Sequence, residues 1–273
     1  MSVVTISREL GSLGTEIARA VAEKLNYEYI DKEKIAQALA NLGLSALTVE
    51  KFDEKKPPFW DSMQIQRKKF SHLLQAVITD FAKNGNVVIV GRGGQVILRG
   101  LPGVLHVRVM APFEGRVLRI LGQEKMDEKQ ASRALRRSDR DSAGFLRSIF
   151  DVDWNDSCLY DLVINTREIS LETGRQLIIE AIHSPEIKAG EKKVEEKLSD
   201  LALLQKVEAI LMDVVGIDIR HVNVQIEGGK VILRGSVASS ADRENCRQAI
   251  AHIVGGHPVD NQLLVTQYYR FGA

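Results

Sequence analysis

Cysteine is nearly absent. Cys158 and Cys246 are the chain's only two, far apart and outside any C-x-x-C spacing, which supports neither a disulfide framework nor a thiolate zinc site. Such sparse usage fits a reducing cytoplasm. Long apolar runs are missing too: no stretch approaches the roughly 18 residues of a membrane helix, and the first residues lack the basic, then apolar, then small order of an export signal. The expectation is a cytoplasmic protein, neither exported nor anchored. A basic excess is likewise absent. With 37 Lys+Arg against 36 Asp+Glu the net charge is +1, which argues against a nucleic-acid binder. What remains, 44% hydrophobic and 27% charged over 273 residues, is a globular chain with room for one large or two ordinary domains.

One lysine is missing where it would be most informative. Val3-Val4-Thr5-Ile6-Ser7-Arg8 reads as a buried strand, Gly11 and Gly14 as a turn, and Ile17, Ala18, Val21, Ala22 and Leu25 as one face of a helix. That strand, glycine loop and helix order points backbone N–H groups and a helix N-terminus at an anion. In the common phosphate loop, G-x-x-x-x-G-K-[ST], a lysine reaches the terminal phosphates and a hydroxyl holds magnesium. Matching Gly11-Ser12 to the later part of that loop puts Gly14 in the lysine's place, followed by Thr15. By itself the stretch is equally an ordinary strand, turn and helix.

Downstream, Tyr27 to Asp31 reads as a short strand ending on a carboxylate. Asp31 is either a ligand group at the strand's carboxyl end or the N-cap of the helix from Lys32 to Leu42. Residues 45–60 are polar and irregular, with Pro57 and Pro58 enforcing extended backbone before Phe59 and Trp60. A helix over residues 70–84 leads to Val87-Val88-Ile89-Val90, four β-branched residues suited to a strand buried on both faces. Arg92 follows between glycines, placed either to offer its guanidinium to a phosphate or simply to lie on a tight turn. Val104 to Val109 is a fourth strand, and Pro112 starts a helix carrying Arg116 and Arg119 on one face. Arg133, Arg136, Arg137, Arg140 and Arg147 then crowd one stretch with only Asp139 and Asp141 among them. This is a solvated helix face or an anion site. Residues 151–161 are acidic and turn-like, residues 160–166 a fifth strand, and residues 171–182 a closing helix. Strands alternating with helices predict a doubly wound parallel α/β sheet.

Residues 184–194, with Pro185, Gly190 and a Glu-Lys run, are expected to be a linker. Beyond them the pattern becomes helix, hairpin at Gly228-Gly229, helix, and a last strand with Val259, Asn261, Leu263 and Val265 alternating. That is a small α+β (αββαβ) module. Its eight Lys/Arg against ten Asp/Glu make it a poor nucleic-acid candidate.

Taken together, residues 1–183 resemble the cytidylate-kinase-like branch of the P-loop nucleoside-monophosphate kinases. The resemblance rests on Ile6-Ser7-Arg8-Glu9 with Gly11-Ser12 and Gly14, Tyr29-Ile30-Asp31, Val90-Gly91-Arg92-Gly93, Val107-Arg108-Val109 with Ala111-Pro112, the arginine and aspartate run, and Tyr160 to Thr166. It implies a five-stranded P-loop kinase-like core and transfer of the ATP γ-phosphoryl group to CMP, dCMP or a related monophosphate. It further implies that Gly11, Ser12, Gly14 and Thr15 hold the ATP phosphates. Ser12 or Thr15 would supply the hydroxyl for Mg²⁺, and Asp31 and Arg92 would bind the acceptor. Arg136, Arg140 and Arg147 would close from a lid. With no lysine, Arg8 or a lid arginine has to supply its charge, and Gly91 stands where an acidic Walker-B residue is expected. A catalytically weak nucleotide sensor is therefore the alternative to an active kinase. Residues 195–273 resemble a BON domain, from Val231-x-Leu233-x-Gly235-x-Val237 and Val259-x-Asn261-x-Leu263-x-Val265. The BON resemblance implies a protein or small-ligand partner and no catalysis; the composition gives no support for membrane contact and leaves a homo-oligomer open.

Overall fold

The computed structural model describes residues 2–42, 44, 64–123, 125–214, 221–251 and 254–266. The proline-containing stretch at residues 45–60, with Phe59 and Trp60, lies outside them. Contacts divide the chain into two units, residues 1–60 with 81–195 and residues 61–80 with 196–273.

The first unit is built on β1 (Val3–Arg8), β2 (Glu28–Ile30), β3 (Val87–Val90), β4 (Val104–Met110) and β5 (Leu162–Asn165). Every pairing is parallel and the order is β2-β3-β1-β4-β5. The physical cause is visible in β3, whose four residues are all buried, so both faces need helices over them. Those helices include α1 (Gly14–Leu25), α2 (Lys32–Asn41) and the later α7 (Leu171–Ile182), with Ile17, Val21 and Ile178 packed on Val4, Val88 and Val107. Between them in sequence come α3 (Gln64–Asn84), the single turn α4 (Gly94–Ile97), α5 (Phe113–Gln123) and α6 (Glu128–Phe150). Asp127 opens α6 with a reciprocal capping box to Gln130, so the arginine run is one continuous helix.

The expected linker at residues 184–194 is corrected by α8 (Pro185–Leu211), which runs through it. Proline is tolerated at the first helical position, and the Ser184 carbonyl accepts the Lys188 N–H at 3.0 Å. Gly190 does not break the helix because its bare Cα packs on the chain at Gly103, where a Cβ would lie 2.2 Å from the Gly103 nitrogen.

In the second unit, β6 (Val222–Glu227) and β7 (Lys230–Val237) form an antiparallel hairpin. α9 (Ser240–Ala251) follows, and then β8 (Val259–Asn261) and β9 (Leu264–Val265) both pair parallel to β7. The last strand was expected as one piece. It is split because the Asn261 side chain accepts the Leu263 N–H at 3.2 Å and donates to the Arg243 carbonyl at 3.0 Å, turning the chain. Leu203, Val207, Leu211, Leu233, Cys246 and Ile250 fill the core under the sheet. On residues 61–80, His72 Nδ1 lies 2.7 Å from Gln205 Oε1 and 3.0 Å from Glu208 Oε2. No helix among the described residues is long and apolar enough to cross a membrane.

Candidate functional site

The carboxyl ends of β1 and β3 meet the amino end of α1 at a loop that spends most of its own polar groups on itself. Ser12 is fully buried: its hydroxyl donates to the Glu9 carbonyl at 2.7 Å and accepts the Gly14 N–H at 3.3 Å. Thr166 Oγ1 donates to the Ser12 carbonyl at 2.8 Å, and Arg119 binds both the Gly11 carbonyl and Thr166. Leu13 takes the left-handed conformation (φ 66°) to turn the chain into α1 and contributes no side-chain cap. As a result the Thr15 and Glu16 N–H groups have no acceptor among the described residues and stand open at the helix N-terminus.

Arg8 explains the missing lysine. Its side chain crosses the loop so closely that a Cβ on residue 14 would lie 2.4 Å from Arg8 Cβ. Farther along, a Cβ on residue 91 would lie 3.1 Å from Arg8 Nη1. Both departures from the common phosphate loop, glycine for lysine at 14 and glycine for the acid at 91, make room for one arginine side chain, its stem at 14 and its guanidinium at 91. Among the described residues, Arg8 has no carboxylate within ion-pair distance.

Arg8 and Arg92 line the same cavity, with Gln95 beside them and Phe145, Leu146 and Trp154 as apolar walls. Arg92 sits on a left-handed residue (φ 55°), buried, its guanidinium carbon 5.7 Å from the Phe145 ring centre. Among the described residues, no acidic side chain lines this cavity. Two guanidinium groups lining one space give it the charge and the planar donors that suit a phosphate.

The other expected residues are placed differently. Asp31 caps α2, its Oδ1 accepting the Lys34 N–H at 3.1 Å, and it does not line the cavity. Arg136, Arg140 and Arg147 are exposed on α6 and do not line it either; Arg136 lies over the Phe113 ring at 4.6 Å. Asp139, counted above as a partner for the helix's own arginines, is taken by Arg116 of α5 through two 2.9 Å bonds. As candidates for magnesium, Ser12 and Thr15 are not equivalent. Ser12 is committed within the loop, while Thr15 Oγ1 has no partner among the described residues, which contain no cluster of acidic, histidine and cysteine side chains able to hold a metal by itself.

Three groups had no role in the sequence reading: Glu9 and Arg108, quoted there only within motifs, and Trp154. Glu9 accepts the Ala111 N–H at 3.1 Å and lies 3.4 Å from Arg108 and 3.5 Å from Arg116. Arg108 stacks on Trp154 at 4.0 Å, and the indole N–H donates to Ser7 Oγ at 2.8 Å. Trp154 could have been suspected, since a tryptophan in an otherwise acidic stretch needs a place to bury its ring.

The model of the cytidylate kinase-like family matches residues 3–168, more than half of the chain. The chain belongs to the cytidylate kinase-like family. A BON domain matches residues 199–267 of this cytidylate kinase-like chain. Among similar proteins is the cytidylate kinase of Pyrobaculum islandicum, 28% identical over 186 residues, covering 67% of this chain and 93% of that protein. The cytidylate kinase of Methanocaldococcus jannaschii is 26% identical over 183 residues, covering 66% and 97%. An uncharacterized protein from Eubacterium ventriosum shares the fold of the first unit, with a TM-score of 0.55 at 22% identity over 67% of this chain and 99% of its own.

Proposed function

We propose that this cytidylate kinase-like chain transfers the γ-phosphoryl group of ATP to CMP, dCMP or a related monophosphate, a reading supported by its similarity to cytidylate kinases. The observation that carries the reading is the convergence of Arg8 and Arg92 on one cavity, with the open amides of Thr15 and Glu16 at the start of the helix that follows the same strand and loop. In such a transfer an acceptor phosphate oxygen forms the new P–O bond as the bond between the β-phosphate oxygen and the γ-phosphorus breaks, and ADP leaves. The attacking oxygen is already anionic, so no general base is needed and the lack of an acid in the cavity is no obstacle.

Each group then has a task. The loop around Gly11, Ser12 and Gly14 with its free amides holds the donor β-phosphate, Arg92 fixes the acceptor phosphate, and Arg8 lies between them where charge spreads in the transition state. Asp31 orients the acceptor nucleoside with the carboxylate oxygen its cap leaves over, and Arg136, Arg140 and Arg147 close over the phosphates from α6. Magnesium, held by the donor phosphates and Thr15, would neutralise the leaving diphosphate. Residues 1–183 carry this chemistry, and residues 195–273 form a binding module for a protein or small ligand.

A second reading has its own support: an arginine fork is not a lysine point charge, and no acid stands at Gly91. A nucleotide-binding regulator acting through the BON domain would bind ATP and transfer nothing. A coupled assay of ADP release across the common monophosphates, beside calorimetric titration with ATP, separates the two. Turnover with CMP that collapses in Arg92→Ala supports the kinase. ATP binding without turnover supports the regulator, and binding of neither ATP nor monophosphate overturns both.

A further inference from the structure

Glu9 follows Arg8 directly, and the two side chains serve different sides of the loop. Arg8 enters the cavity. Glu9, its side chain only 12% exposed, is the point where two buried arginines from distant strands and helices meet. Its Oε1 lies 3.4 Å from Arg108 Nη2 and its Oε2 3.5 Å from Arg116 Nε. Each arginine carries a different wall of the cavity. Arg108 donates to the Trp154 carbonyl at 3.0 Å and stacks on its ring, and Trp154 is one wall. Arg116 grips Asp139 of α6 with both terminal nitrogens and donates to the Leu10 carbonyl at 3.4 Å; within the next two turns of α6, Phe145 and Leu146 form the other wall.

Adhesion alone does not account for this arrangement. Val117 and Ile120 of α5 already pack on Ala131 and Leu135 of α6, and buried ion pairs add little net stability over apolar contacts. What a shared carboxylate supplies is position: shifting the loop at Glu9 moves both arginines together.

We propose that Glu9 is a positioning residue that couples the phosphate loop to Trp154 and to α6, so that an anion seated in the loop is registered at both cavity walls. The inference rests on the phosphate-loop reading for its anion and not on turnover. The test uses the full chain with Trp60→Phe, which leaves Trp154 as its one tryptophan, titrated with pyrophosphate. Trp154 emission is expected to shift and saturate, and hydrogen exchange along α6 to slow. Glu9→Gln, which keeps the side chain's shape, is expected to abolish both responses while calorimetric pyrophosphate affinity changes less than about threefold. Asp139→Asn cuts only the α6 arm: the Trp154 response stays and the slowed exchange disappears, and this variant decides the matter if Glu9→Gln does not fold. Pyrophosphate binding with no response at Trp154 in the parent, or unchanged responses in folded Glu9→Gln, overturns the coupling alone. No pyrophosphate binding in the parent removes the phosphate-loop reading as well.

Discussion

The two sheets of this protein face water in opposite ways. In the first, β1, β3 and β4 are covered on both faces, and polar side chains inside it are satisfied by one another, as Thr5 Oγ1 is by His106 Nδ1 at 2.8 Å. Burial of that histidine, opposed by the nearby Asp161 charge, holds its pKa below the ordinary value and favours the neutral ring. In the second, β6 alternates at its start, β7 buries Val231, Ile232 and Leu233 in succession between exposed Lys230 and Arg234, and polar side chains pair across the strands: Arg234 donates to Gln225 and to Gln262, and Lys230 to Asp260. A doubly covered sheet leaves its carboxyl end as the place where ligand-binding groups can gather, and Arg8 and Arg92 stand there. A half-solvated sheet spreads its charges and neutralises them in pairs. The first arrangement builds a site; the second builds a surface.

The sharpest way to break this contrast is at Arg8. Arg8→Ala is expected to lower kcat about a thousandfold while ATP still binds, because the lost charge acts mainly on the transition state. Gly14→Lys alone is expected to destabilise the fold by about 3 kcal/mol through overpacking against Arg8. Arg8→Gly with Gly14→Lys, which removes the side chain that stands in the way, should recover the melting temperature. A double variant no more stable than Gly14→Lys would show that Arg8 is not what excludes a side chain at residue 14. Next, Arg92→Ala is expected to raise the acceptor KM about a hundredfold, with ATP affinity measured by calorimetry nearly unchanged. In the second unit, Leu233→Ala should cost about 3 kcal/mol by opening a cavity in a fully buried core, read as a lower unfolding midpoint.

A smaller effect concerns His72. Burial opposes its charge, but hydrogen bonds to Glu208 and Gln205 prevail and raise its pKa. A raised pKa in the folded state means that protonation stabilises it. The contribution is complete below the unfolded value of about 6.5 and fades as pH rises through the folded one. Melting temperature followed against pH should therefore fall across that window in the parent and stay flatter in His72→Gln. The smallest change is expected from Arg234→Ala, within about 0.5 kcal/mol, since exposed polar pairs contribute little. A larger loss would mean that the polar face is not merely solvated.

Local physics carried much of the fold. Four β-branched residues at Val87–Val90 suit a strand buried on two faces, as in a parallel sheet, and the Asp127 capping box starts α6 from neighbours in sequence. Misreadings arose where distant groups intervene. Gly190 read as a breaker because its partner, Gly103, is 87 positions away in the chain. Asp139 read as a counter-charge within its own helix until Arg116 of α5 reached it.

The phosphate loop shows where the division lies. A strand, two glycines and a helix are dictated by side-chain size and periodicity, and they alone determine that backbone amides converge at residues 11–15. That the glycines at 14 and 91 both yield to Arg8, and that Glu9 gathers Arg108 and Arg116, was decided only by tertiary structure. A glycine in sequence records an absent side chain, and only the packed fold reveals which atom fills the space.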